Sequence, residues 1–352
     1  MVTTKFMVHH CFDQQGLGME AFSILVPDGW LFEGGISWVL DNPAMPAVAS
    51  FRVKDPRSDL AFEVFPAHQF TYSDNPMLLS MFPPGSRYLG SEVRAPMHAV
   101  DALKAIILPR FRGNAPGLKT IQAEELPQLA RAVSIQQGLN LDYQYPVSPG
   151  MMVTSGRVRI SYHGTLSPDV EEDVFGVATQ LVLGMPSMFL AGTTTLIWTL
   201  DYLFACKAGA GRLDGMAPTF QTIALSFRLN PRWYAALTRL IQALTSAKIQ
   251  QIQNIGQISR MIHETHEEIS DSIMAAYNAR QSSQDRVARQ FSEYVRGVES
   301  YHDPFGDRPV ELPAAFSHAW GNALGEYIVT DDPTYDPNRD SNVKWEPLKR
   351  VP

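Results

Sequence analysis

Cysteine is almost missing from these 352 residues: Cys11 and Cys206 are the only two. So wide a separation makes neither a disulfide framework nor a metal-binding cysteine spacing. Two free thiols suit a reducing compartment, so a cytoplasmic location is expected. Charge is thin as well. Charged residues are 18% of the chain, the net charge is −7, and no long basic run occurs. An acidic balance without a basic run has little to hold a phosphate backbone, so nucleic acid is not an expected partner. Residues Met1 to His10 hold no apolar segment followed by a small-residue cleavage site, and no signal peptide is expected. The stretch Val174 to Leu200 has no charge, but Gly184 and Pro186 break it near its middle. It reads as two buried strands joined by a turn, so no transmembrane segment is expected. Catalytic signatures are also wanting. There is no Gly-x-Ser-x-Gly elbow, and Gly16-Leu17-Gly18-Met19-Glu20-Ala21 precedes a strand instead of following one, unlike a dinucleotide loop.

What is present is enough apolar material, 45% of residues, to build a sizeable core. Short strands are expected at Ala21–Val26, Trp30–Leu40, Ala47–Val53 and Leu60–Phe65. Prolines at 66, 76, 83, 84 and 96 leave little room for regular structure over 66–97. Helices are expected at Met97–Leu108, Glu124–Val133 and Leu213–Leu225, and strands at Arg157–Tyr162, Asp173–Leu183 and Thr194–Cys206. The order predicts an α+β fold, an antiparallel sheet sandwich with helices, over residues 1–230.

Two segments carry a resemblance. Phe22-Ser23-Ile24-Leu25-Val26-Pro27-Asp28-Gly29-Trp30 resembles the opening strand and turn of PsbP-like α/β/α sandwich domains. Phe220-Gln221-Thr222-Ile223-Ala224-Leu225-Ser226-Phe227 resembles their closing helix. The resemblance spans about residues 20–230, with 66–97 as an insertion. It implies a binding or assembly factor and brings no shared catalytic residues. The C-terminal third, through Val310–Pro313 and Gly325–Pro333, resembles the ends of uncharacterised bacterial proteins, which implies no activity.

Proline is absent from Trp233 to Ser300. Leu237, Ile241, Leu244, Lys248, Gln251, Ile255, Ile258, Ile262, Thr265 and Ile269 alternate three- and four-residue steps, a heptad-like stripe. The pattern predicts a long helical arm over 231–300, on the order of 100 Å if straight, or a helical hairpin. Leu244, Ile255, Ile258, Ile262 and Ile269 are its candidate interface, for a homo-oligomer or another protein. Residues 301–352 form an acidic, aromatic unit with short strands, too small to fold alone and expected to bury Trp320 and Trp345 by docking.

Candidate chemistry is sparse. His263 and His266 share a helix face with Glu267 and offer a three-ligand metal site, though the zincin spacing needs histidines four apart. Asp336, Asn338 and Asp340 alternate oxygen ligands, but Ser341 and Pro347 stand where an EF-hand loop needs glycine and glutamate. Phe82 and Tyr88 with Arg87 and Arg94 form the densest aromatic and polar cluster, suited to a carboxylate or phosphate ligand. Glu311, His318 and Glu326 near Asp303 are a looser acid–base group. The function expected from these features is a non-enzymatic binding or assembly protein with no cofactor. The alternative is a metal-assisted hydrolase using His263/His266 or the Asp303–Asp340 region.

Overall fold

A computed structural model describes residues 3–39, 41–88, 90–137, 151–184, 194–245, 271–294, 298–306, 309–314, 316–339 and 341–351. Among the described residues strand outweighs helix. In chain order the strands are β1 (Thr3–Phe12), β2 (Glu20–Pro27), β3 (Leu31–Trp38), β4 (Ala47–Lys54), β5 (Ala61–Val64), β6 (His68–Ser73), β7 (Arg87–Tyr88), β8 (Ser91–Val93), β9 (Lys119–Glu125), β10 (Met151–Tyr162), β11 (Val170–Gly184), β12 (Thr194–Gly209), β13 (Arg228–Leu229), β14 (Val298–His302), β15 (Val310–Pro313), β16 (His318–Asn322), β17 (Tyr327–Thr330), β18 (Trp345–Pro347) and β19 (Lys349–Arg350). The helices are α1 (Pro76–Met81), α2 (Ala99–Ala102), α3 (Leu108–Arg112), α4 (Pro127–Gln137), α5 (Leu213–Leu225), α6 (Pro231–Thr245) and α7 (Asp271–Tyr294), with a π turn over Leu103–Ile107 between α2 and α3.

The large sheet has the order β3-β4-β5-β12-β11-β10-β9, with β6 to β8 added along the other half of β12. Its long strands alternate. Val158, Ile160 and Tyr162 point to one face, where Leu103, Ile106 and Ile107 pack between α2 and α3. Phe62, Phe175 and Cys206 point to the other face, against Phe22 and Ile24 of β2 and Phe220 and Ile223 of α5. A second sheet, β13-β2-β1-β17-β16-β18, therefore lies over that face beside α5. In it β1 sits between β2 and β17, so strands from near both ends of the sequence share one ladder. A third small sheet, β15-β14-β19, joins through a core of Phe6, Leu25, Tyr301, Leu312 and Val329.

The expected α+β sandwich followed by a long helical arm is not what forms. The described residues are mainly β, and no long helical arm is seen among them. The apolar positions of α6 and α7 are spent on the protein's own body. Trp233, Ala235, Ala236 and Leu240 of α6 are buried, and the Trp233 indole donates to Asp13 at 2.9 Å. From α7, Gln281 donates to the Phe227 carbonyl at 3.2 Å and accepts from the Leu229 amide at 3.1 Å. A three-four stripe does not distinguish a seam against a partner from a face against one's own sheet. Leu244 is half-buried in the last turn of α6. Ile255, Ile258, Ile262 and Ile269 lie outside the described residues, as do His263, His266 and Glu267. No helix among the described residues is long and apolar enough to cross a membrane.

Candidate functional site

The site begins with a break in β12. Lys207 back to Phe204 pairs with Ala61–Val64, and Leu200 back to Thr195 pairs with His68–Ser73. Between the two partners the pairing lapses around Pro66, which has no N–H to add to a ladder. On the opposite side, Phe175 pairs with Phe204 while Val177 pairs with Asp201. Two steps along β11 thus match three along β12, which is a bulge with one extra residue. Tyr202 sits in it with φ at 50°, the sole non-glycine at positive φ among the described residues. A side chain held in that region costs energy, and such residues cluster at ligand sites. The Asp201 carboxylate accepts the Tyr202 amide at 2.7 Å and so supports the bend.

Beside the bulge is a cavity of about 320 Å³ between the two large sheets. Ile24 of β2, Ala49 of β4, Val64 of β5, Phe204 of β12 and Ala224 of α5 are among its walls. The alanines leave the space open where larger chains would close it. Arg280 and Gln284, one turn apart on α7, contribute the polar side of the lining with Asp201. The Arg280 guanidinium meets Asp201 through one contact of 3.5 Å and lies over the Tyr202 ring at 5.8 Å. Its side chain is 41% exposed, so it faces both the cavity and water. The negative charge of Asp201, outweighing burial, holds Arg280 firmly protonated. The Gln284 Oε1 is buried without a hydrogen-bond partner among the described residues. An apolar chamber with a few convergent polar groups is the usual build of a small-molecule site, and this volume is at the small end of the range.

Other charged groups are tied into the structure. Glu172 is fully buried and takes Arg112 through two bonds of 2.6 and 2.8 Å and the Tyr162 hydroxyl at 2.7 Å. A second cavity is lined by Arg157, Arg159, Asp173, Asp214 and Cys206. Its arginines are engaged by its own carboxylates: Arg159 reaches Asp173 at 2.8 Å and Asp214 at 2.7 Å. Burial pushes the Cys206 thiol well above its ordinary range, so it is no nucleophile at neutral pH.

The residues singled out from sequence fall elsewhere. Phe82 and Tyr88 do meet, with ring centroids 4.8 Å apart. Arg87 pairs with Asp41, and Arg94 bonds Glu92 at 2.7 Å. None of these four lines the cavity between the sheets. Glu311 accepts the Ser300 hydroxyl at 2.6 Å in the third sheet. His318 and Glu326 belong to one hairpin, but His318 is opposite Thr330 at its open end and Glu326 is in its turn. Glu326 pairs with Lys5 at 2.9 Å. These three groups are not gathered into one site. Asp336 accepts the Asn338 amide at 3.0 Å and caps its own turn. No group of three or more His, Cys, Asp or Glu is placed to hold a metal among the described residues.

Sequence reasoning missed Asp201, Tyr202, Arg280 and Gln284. The four-residue spacing of Arg280 and Gln284 was visible, but nothing local marks a bulge inside an apolar strand. The chain matches no protein-family model and no curated protein.

Proposed function

We propose that this is a non-enzymatic binding protein and that the cavity between its two large sheets holds a small, largely apolar ligand. The observation that carries this reading is the cavity itself: mostly apolar walls, a few polar groups among them, and a strained bulge at its edge. The resemblance to PsbP-like domains, a family mostly of binding and assembly factors, points the same way. The test is titration of the full chain with an apolar fluorescent dye. Ala49→Phe and Ala224→Phe each fill part of the cavity and should weaken dye binding about tenfold or more, at a stability cost of about 1–3 kcal/mol from overpacking. Dye binding unchanged in both folded variants would remove this reading.

A further inference from the structure

We infer that the ligand is an amphipathic monoanion, a carboxylate on an apolar tail, whose head takes the place of Asp201 on Arg280. This rests on the cavity reading above and adds the class of ligand. Arg280 is the one cation among the described residues that line the cavity, and its side chain reaches both the chamber and water. A guanidinium carries five N–H donors in a planar fork that fits a carboxylate through two parallel bonds. Among the described residues the carboxylate that Arg280 meets is Asp201, at a long 3.5 Å. That spacing leaves room for a closer, two-bond partner on the fork. Asp201 would not be stranded by the exchange, because its other oxygen already accepts the Tyr202 amide at 2.7 Å.

The charge balance selects one negative charge on the head. Among the described lining residues Arg280 and Asp201 sum to zero, so a monoanionic head adds one unmatched negative charge and a dianionic phosphate adds two, at a greater cost. Gln284 stands one helical turn from Arg280, and its buried Oε1 has no donor among the described residues. An amide can turn end for end and offer an N–H to the same head group. The tail then lies among Ile24, Val64, Phe204 and Ala224.

The experiment compares decanoate with decanol by calorimetric titration of the full chain, on wild type, Arg280→Met, Arg280→Lys and Asp201→Asn. Wild type should prefer decanoate. Arg280→Met should lose that preference by about tenfold or more, as expected when a charged hydrogen bond is removed. Arg280→Lys should keep part of it, since it retains the charge without the fork. Asp201→Asn removes the competing carboxylate and should tighten decanoate severalfold relative to decanol. Equal affinity for the two probes in wild type, or an unaltered preference in folded Arg280→Met, overturns the head-group assignment while the cavity reading stands. If Arg280→Met gives no cooperative melt, Asp201→Asn decides: decanoate affinity unchanged or weakened relative to decanol overturns the assignment. If neither probe binds wild type, both readings fall.

Discussion

Asp13 shows how much one side chain holds in place. It is 1% exposed and accepts the Gly16 amide at 2.9 Å, the Leu17 amide at 3.1 Å, and the indoles of Trp38 and Trp233 at 2.9 Å each. One carboxylate thus pins the β1–β2 turn to the end of β3 and to the start of α6. Asp13→Ala leaves those donors buried without acceptors, and each costs about 1–3 kcal/mol, so the loss should be about 3 kcal/mol or more in urea unfolding. A loss below about 1 kcal/mol would show that water replaces the carboxylate. His68 makes the opposite kind of contribution. Burial, then the positive charge of Arg110, pulls its pKa from 6.5 down to about 4, against the smaller pull of Glu92. The folded state holds the ring neutral while the unfolded chain protonates it near 6.5. Stability is then full above that value and falls as pH drops from 6.5 towards 4. His68→Phe keeps a ring beside Phe70 and Phe111 and should flatten the loss in that window. An identical pH profile of the urea midpoint would refute the assignment.

At the scale of elements, the sequence was most legible where one period ran unbroken along a segment. The helix expected at Leu213–Leu225 forms over those residues, with Leu213, Ala217, Phe220 and Ile223 of its apolar pattern buried. The charge-free stretch forms two strands, β11 and β12, which pair with Gly184 opposite Thr194. Proline misled in one place. Residues 66–97 were expected to be nearly without regular structure, yet β6 forms there, α1 starts on Pro76 with Asn75 as its cap, and β7 and β8 follow. Proline at a first helical position removes an N–H that has no partner anyway. The arm was misread for a related reason: period reports which residues of a helix are apolar, not what covers them. The cavity was illegible because it is made by absence. Small side chains at Ala49 and Ala224, on different elements far apart in sequence, leave the same space empty. No local pattern records that coincidence.

At the scale of the whole molecule, the stretch expected to dock as a small unit instead completes a sheet. Thr3 to Phe6 of β1 pairs with Thr330 to Tyr327 of β17, and β16 and β18 extend the ladder. Trp345 is buried in this region, while Trp320 is half-buried. Truncation after Ser300 strips β15 to β19 and leaves Phe6 and Leu25, both buried now, open to water. Burying such side chains is worth about 1.5–3 kcal/mol each, so the truncated chain should melt far lower or without cooperativity. A truncated protein with the full-length melting temperature would disprove this dependence.

The position of β1 sets an order in time. The hydroxyls of Thr3 and Thr330 are in contact across 327 residues of sequence. On the ribosome, β1 can pair with β2 almost at once, but its other edge has no partner until β17 has been made. At about 5–20 residues per second, that interval is tens of seconds. An open strand edge recruits other strands, so a nascent chain is exposed to mispairing at β1 while the residues between Thr3 and Thr330 are being made. The finished ladder ends that exposure, and its closure is a long-range step of the kind that folds slowly.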